Sequence, residues 1–150
     1  MGFNNLFLLN LPDEWKETTV YTFNGPLEDG VKQNLVMMID NFIDKNIDFD
    51  AYVNGRIEEL KQSMPEFEML SKENSEMDSY PVKIITFKFT PAESITIYQR
   101  QSYLHINKAI YLFTASFSKK TLQTHAPVVD SIISGLLVVD KKTLETMYYE

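Results

Sequence analysis

The sequence predicts an α+β domain in which two helices pack on an antiparallel sheet of about six strands. Short segments rich in β-branched and aromatic residues are separated by turn signals along most of the chain. Two other segments repeat apolar residues at spacings of three and four, which is typical of amphipathic helices. Because no repeat, linker or low-complexity tract divides the 150 residues, they are expected to form a single domain.

Three strands are predicted in the first 40 residues. Residues 6–11 form an apolar run that a Pro-Asp turn closes. Residues 18–23 combine Thr, Val, Tyr and Phe, and the Asn-Gly-Pro signal at residues 24–26 predicts a turn after them. Residues 34–39 form the third strand, after a loop that contains Asp, Gly and Lys.

The first helix has the clearest pattern in the sequence. Asp48 is suited to cap its amino end, and Pro65 is expected to stop it because proline cannot continue a helix. Polar residues lie between the apolar ones, so one side of the helix faces solvent and the other packs on the sheet. The apolar side consists of Phe49, Tyr52, Val53, Ile57, Leu60 and Met64.

The second half of the chain predicts three more strands and a second helix. The strands cover residues 81–90, 94–106 and 108–117, and the turns between them are so short that the strands form an antiparallel meander. The second helix is predicted over residues 127–136 with its start near Ala126, because Pro127 fits best in the first turn of a helix. Its buried apolar stripe is expected to consist of Val129, Ile132, Ile133 and Leu136. No structure is predicted for residues 138–150.

Charge and hydropathy exclude several classes of partner. With 14 basic and 21 acidic side chains, the net charge of −7 repels phosphate backbones, so nucleic acid is not an expected partner. No segment approaches the roughly 20 apolar residues of a membrane-spanning helix, so direct membrane insertion is not expected. The apolar run near the start is about half as long as the core of a signal peptide, which predicts a cytoplasmic protein.

The sequence lacks the usual arrangements of catalytic and metal-binding residues. There is no cysteine, and neither His105 nor His125 lies in a metal-ligand or nucleophile motif. No glycine-rich phosphate-binding loop and no nucleophile elbow occur. We therefore expect a protein that is not an enzyme, with no catalytic residues, no metal site and no cofactor.

Two of the predicted strands are apolar on both faces. Residues 34–39 and 108–117 lack the apolar–polar alternation of a sheet with one solvated face. Six strands span roughly 25–30 Å, so two helices about 10 Å wide cover one face but not two. The remaining surface is expected either to be covered by a homodimer partner or the chain's own tail, or to form a groove for an apolar ligand or peptide.

Gln99 and Gln101 interrupt an apolar strand and lie on the same face of it. A buried amide without a partner costs on the order of 1–3 kcal/mol, so both glutamines need hydrogen bonds. Two interpretations are open: the amides donate to neighbouring backbone or simply lie at an edge, or they offer hydrogen bonds to a bound segment.

Several segments resemble the DcrB-related family. The run Tyr-Gln-Arg-Gln at residues 98–101 is similar to the strand motif of the Eag chaperones within that family, and the whole resemblance spans about residues 6–137. The other segments are residues 11–15, the strand at 19–23, the helix that carries Tyr52 and Leu60 with its end at 64–67, and residues 132–136.

This resemblance implies a PsbP-like fold and a chaperone function. Eag proteins are cytosolic homodimers that shelter the N-terminal transmembrane helices of type VI secretion effectors, often of the Rhs kind, before these are loaded on the spike. By position, the resemblance places the effector-binding groove at Val20, Thr22, Val36, Met38, Gln99 and Gln101. The alternative is a general binding module of the same fold, which takes a soluble protein partner or a small apolar ligand.

Overall fold

The computed structural model describes residues 12–15, 20–28, 31–40, 46–107 and 109–136, and they confirm the predicted α+β class. Six strands form one antiparallel sheet, and two helices pack on it. In chain order, the elements are β1 (Val20–Glu28), β2 (Val31–Asp40), α1 (Phe49–Ser63), β3 (Glu68–Met77), β4 (Tyr80–Ala92), β5 (Ile95–Ile106), β6 (Ala109–Phe117) and α2 (Lys119–Ser134).

The strands are arranged in the order β1-β2-β6-β5-β4-β3, so β1 and β3 form the two edges. The predicted meander is confirmed: β4 pairs with β5 and β5 with β6, all antiparallel. The β4–β5 and β5–β6 turns are made possible by Ser94 and Asn107, whose positive φ angles of 65° and 52° reverse the chain sharply.

The two helices lie on opposite faces of the sheet, which we call the α1 face and the α2 face. On the α1 face, Val53, Ile57 and Leu60 of the helix pack with side chains such as Ile85 and Phe87 of β4. On the α2 face, the helix contributes Val129 and Ile133, and the sheet contributes, among others, Leu35, Ile84, Leu104 and Phe113. Successive β4 residues thus alternate between the two cores, as the two-residue period of a strand requires.

The first helix is as predicted. The Asp48 carboxylate accepts a hydrogen bond from the Ala51 amide at 3.2 Å, so Asp48 is the N-cap, and the helix ends at Ser63, just before Pro65.

The second helix starts earlier than predicted, at Lys119 rather than near Ala126. Ser118 and Thr121 form a reciprocal capping box, and Pro127 lies inside the helix. An interior proline costs about 3 kcal/mol. The reason the helix nonetheless continues through it is packing: Thr121, His125, Val129 and Ile133 recur every four residues and are all buried against the sheet.

Two predictions about strands are corrected. Residues 24–26 do not form a turn, because β1 continues to Glu28 with a register irregularity between Asn24 and Leu27. An edge strand accommodates glycine and proline at such a bulge. The second correction is β3, which the sequence did not predict because most of its residues are polar. Almost the whole of β3 pairs with β4, and this pairing holds it in the sheet.

The predicted strand at residues 6–11 and the tail at residues 138–150 lie outside the described residues. Within the described part of the chain, none of the helices is long and apolar enough to cross a membrane.

Candidate binding surface on the sheet

All six residues that the resemblance assigned to the groove lie on the α1 face, in adjacent cross-strand rows. One row runs from β1 to β5 through Thr22, Val36, Thr114 and Gln101. The row on one side of it contains Val20, Met38, Leu112 and Tyr103. The row on its other side, on the same face of the sheet, contains the pair Gln99 and Ser116. Residues more than 60 positions apart in the sequence therefore form one continuous surface, which we call the β1–β5 surface.

The helix α1 covers only part of this face. It packs on side chains of β4, β5 and β6, whereas Val20 on β1 is 52% exposed and Met38 on β2 is 47% exposed. Thr22 is exposed as well, and Val36 is partly buried. The β1–β5 surface is thus apolar and open at its β1–β2 end, and it passes under the edge of α1 at β5.

The two glutamines already have partners in the sheet. Nε2 of Gln99 donates to Oγ of Ser116 at 3.1 Å, and Oε1 of Gln101 accepts from the Tyr103 hydroxyl at 2.5 Å. Gln101 is buried, and Gln99 is partly exposed. Both amides therefore have partners within the sheet, but these are side chains rather than the predicted backbone groups, and β5 is an interior strand rather than an edge.

Arg100 points to the opposite face, as strand alternation requires. On the α2 face its guanidinium makes two hydrogen bonds to Asp130 of α2, at 2.8 and 2.9 Å, and one to Glu73 of β3 at 2.9 Å. It also donates to the Thr86 hydroxyl at 2.8 Å. Burial opposes the charge, but these hydrogen bonds and charges raise the pKa of Arg100 above its ordinary value. Within the Tyr-Gln-Arg-Gln run, the arginine therefore joins α2 to the sheet.

Polar contacts hold α1 beside the open part of the surface. The Tyr52 hydroxyl donates to Oδ2 of Asp40 on β2 at 2.8 Å, and the Tyr52 ring meets the Tyr103 ring edge-on at 6.4 Å. Burial, followed by the hydrogen bond to Asp40 and the charge of that carboxylate, raises the pKa of Tyr52 well above its ordinary value. Burial also raises the pKa of Tyr103.

These two tyrosines predict a loss of stability at alkaline pH. Their protons are held more tightly in the folded protein than in the unfolded chain, where tyrosine titrates near pH 10. The stabilisation is therefore complete below about pH 10 and is lost as pH rises towards the folded-state pKa, by about 1.4 kcal/mol per pH unit for each shifted tyrosine. Urea unfolding at several alkaline pH values is expected to show a shallower fall for Tyr52→Phe than for the wild type. If the free energy of unfolding falls equally steeply with pH in both proteins, the raised pKa of Tyr52 does not contribute to stability.

Four residues of these rows were not predicted as site residues: Leu112, Thr114 and Ser116 of β6 and Tyr103 of β5. Thr114 and Ser116 are polar residues in an apolar strand, a pattern that also distinguishes Gln99 and Gln101 in β5 and could have identified them. His125 lies inside α2, where its Nε2 is 2.7 Å from Oε2 of Glu28 and 2.9 Å from Nε2 of Gln33. Among the described residues, no three acidic, histidine or cysteine side chains are grouped so as to hold a metal ion.

The family follows from a match over most of the chain. Residues 8–135 match the DcrB family. The chain belongs to the DcrB family. No curated protein has a sequence that matches this DcrB-family protein.

Solved structures show that the DcrB-family chain has a PsbP-like fold. The cyanobacterial PsbP (CyanoP) of Synechocystis sp. PCC 6803 is similar with a TM-score of 0.58 and 12% identity, over 88% of this chain and 99% of that one. Protein PA94 of Pseudomonas aeruginosa, whose function is unknown, has a TM-score of 0.76 and 17% identity, over 89% and 92% of the two chains. LpqN of Mycobacterium tuberculosis, which is involved in cell envelope biogenesis, has a TM-score of 0.54 and 13% identity, over 73% of this chain and 64% of that one.

Proposed function

We propose that this DcrB-family protein is a cytoplasmic chaperone of the Eag type. It binds the apolar N-terminal helices of a type VI secretion effector of the Rhs kind, shields them from water and helps to load the effector on the spike. The observation that supports this proposal is the β1–β5 surface, where apolar side chains of β1 and β2 are exposed next to polar side chains of β5 and β6.

The width of the surface suits one helix. The part of this row that is not buried runs from Thr22 on β1 through Val36 to Thr114 on β6, because Gln101 at its far end is buried. It crosses two strand spacings, or roughly 10 Å. An α-helix with its side chains is about 10–12 Å across, so one helix would cover this part of the row. Burial of apolar area contributes about 25 cal/mol per Å², which favours covering the half-exposed Val20 and Met38.

The polar residues of the surface suit the same client. Transmembrane helices use small and hydroxyl-bearing residues to contact one another. Thr22, Thr114 and Ser116 place hydroxyl groups among the apolar side chains of the surface, so they can match such positions on a bound helix. The proposed binding is non-covalent and requires no catalytic group.

We also propose that the chaperone works as a homodimer. An effector with more than one apolar helix needs more covered area than the β1–β5 surface of one protomer, and a second protomer doubles it. The oligomeric state of the purified protein, measured by sedimentation velocity, checks this part independently of client binding; a monomer at tens of micromolar contradicts it.

Co-expression tests the proposed function. The client is a tagged segment with the N-terminal apolar helices of the secreted effector encoded next to this protein's gene. Wild-type protein is expected to keep the segment soluble and to co-purify with it. The double variant Val20→Asp, Met38→Asp is expected to lower the soluble yield at least tenfold, because an unpaired carboxylate under an apolar helix costs several kcal/mol.

The control is Leu70→Asp, which adds one carboxylate at another exposed apolar residue, on β3 at the far edge of the sheet. It is expected to leave the yield unchanged. The chaperone function is wrong if the segment is equally soluble without this protein, or if the double variant retains it as well as the wild type does. Binding of a soluble protein instead would support the general binding module.

A further inference from the structure

A second concave surface lies on the α2 face, between α2 and the β1–β2 end of the sheet. It encloses about 500 Å³. Leu35, Met37 and Phe113 of the sheet and Val129 and Ile133 of the helix line it. We call this cavity the α2 pocket; it is separated from the β1–β5 surface by the thickness of the sheet.

The mouth of the α2 pocket is formed by apolar side chains that remain in contact with solvent. Phe23 is 56% exposed, Val128 is 49% exposed and Ile132 is 58% exposed, and all three line the cavity. Ile132 was expected in the buried stripe of the second helix, but the structure places it at this opening. Several large apolar side chains around one concavity are typical of a binding site, because a ligand there buries more of their surface than the protein does alone.

The polar groups of the lining restrict the kind of ligand. The polar side chains that line the pocket are the amides Asn24, Gln33 and Asn34, and no charged side chain is among the lining residues. Next to Gln33, Nε2 of His125 lies 2.7 Å from Oε2 of Glu28, so neither side chain is directed at the cavity without a partner. A charged ligand would lose its hydration and gain no partner of opposite charge in this lining, so the chemistry favours an uncharged molecule.

The size of the cavity favours a small molecule over a second copy of the chain. Small-molecule sites are clefts of about 300–1,000 Å³ that are mostly apolar, with a few polar groups that orient the ligand. A stable dimer instead needs about 800 Å² of complementary surface on each partner, which is much more than the surface that the lining of this pocket offers. The net charge of −7 further disfavours anionic amphiphiles.

We propose that the α2 pocket binds an uncharged, mostly apolar small molecule, with a hydrogen-bonding group at the amide end of the cavity. This site goes beyond the chaperone function, since it uses the opposite face of the sheet and none of the six groove residues. It is tested with a matched pair of fluorescent probes, N-phenyl-1-naphthylamine and its anionic sulfonate, 8-anilino-1-naphthalenesulfonate.

Wild-type protein is expected to bind one equivalent of the neutral probe saturably, and the sulfonate at least tenfold more weakly. Ile132→Lys and Val128→Lys each place a charge at the mouth and are expected to weaken binding of the neutral probe at least tenfold. Both positions are exposed, so the variants are expected to fold, which circular dichroism checks. Leu70→Lys, at the far edge of the sheet, is the control and is expected to bind as the wild type does.

Three results would overturn the proposal: no saturable binding of the neutral probe, equal binding by the Ile132→Lys variant, or a sulfonate that binds as tightly as the neutral probe. A wild-type dimer that Ile132→Lys dissociates would also overturn it, because the pocket would then be covered by a second copy. None of these results concerns the Val20→Asp, Met38→Asp variant, so failure here and failure of the chaperone function are distinguishable.

Discussion

Replacement of Arg100 by alanine is expected to lower the free energy of unfolding by about 3 kcal/mol. The guanidinium is mostly buried on the α2 face and binds Asp130 on α2, Glu73 on β3 and Thr86 on β4. Removal of one partner from a buried ion pair costs about 3–5 kcal/mol, and we expect the lower end because both carboxylates keep partial contact with water.

Urea unfolding followed by circular dichroism measures this effect. Lys61→Ala is the matched control, since it removes a cation from a solvent-exposed pair with Glu58 and is expected to change the free energy of unfolding by less than about 0.5 kcal/mol. Asp130→Asn is expected to have an intermediate effect, because the asparagine still accepts one hydrogen bond from Arg100. If Arg100→Ala and Lys61→Ala are equally stable, Arg100 does not hold α2 on the sheet.

Phe87→Ala is expected to lower the free energy of unfolding by about 3–5 kcal/mol. The Phe87 side chain is fully buried in the core under α1, with its ring centroid 5.2 Å from that of Phe67 and 6.3 Å from that of Phe89. Truncation loses the transfer free energy of the ring and leaves a cavity between α1 and the sheet. Because Phe87 pairs with Gln99 across β4 and β5, the cavity opens next to the β1–β5 surface.

The matched control for this prediction is Phe23→Ala, which removes the same ring from an exposed position on β1. Its effect on the free energy of unfolding is expected to stay below about 1 kcal/mol. Thermal unfolding is a second measurement, in which Phe87→Ala is expected to melt well below Phe23→Ala. Similar stabilities for the two variants would contradict a single tightly packed core under α1.

The elements that the sequence predicted correctly are those with strong local signals. The α1 helix was predicted with its cap because Asp48, the three- and four-residue spacing and Pro65 lie within one short segment. The β4–β6 meander was predicted because long apolar runs and short turns allow only antiparallel neighbours. In each case the physical cause acts between residues close in sequence.

The elements that the sequence mispredicted depend on contacts made far along the chain. β3 is too polar to form a strand by propensity, and its backbone is paired by β4. Pro127 predicts a helix start by its local geometry, whereas the buried stripe from Thr121 to Ile133 carries the helix through it. Tertiary packing overrides local preference at both places.

The six residues of the candidate site were predicted from the family resemblance. Strand alternation predicted that Gln99 and Gln101 lie on the same face of the sheet. The sequence by itself also determined the α+β class, the first helix and the excess of apolar strand surface. Only the tertiary structure decided that the helices lie on opposite faces, that β1 and β2 stand beside β6 and β5, and that an apolar pocket opens under α2. The physical reason is that strand order and helix placement are set by long-range burial, to which no local sequence signal corresponds.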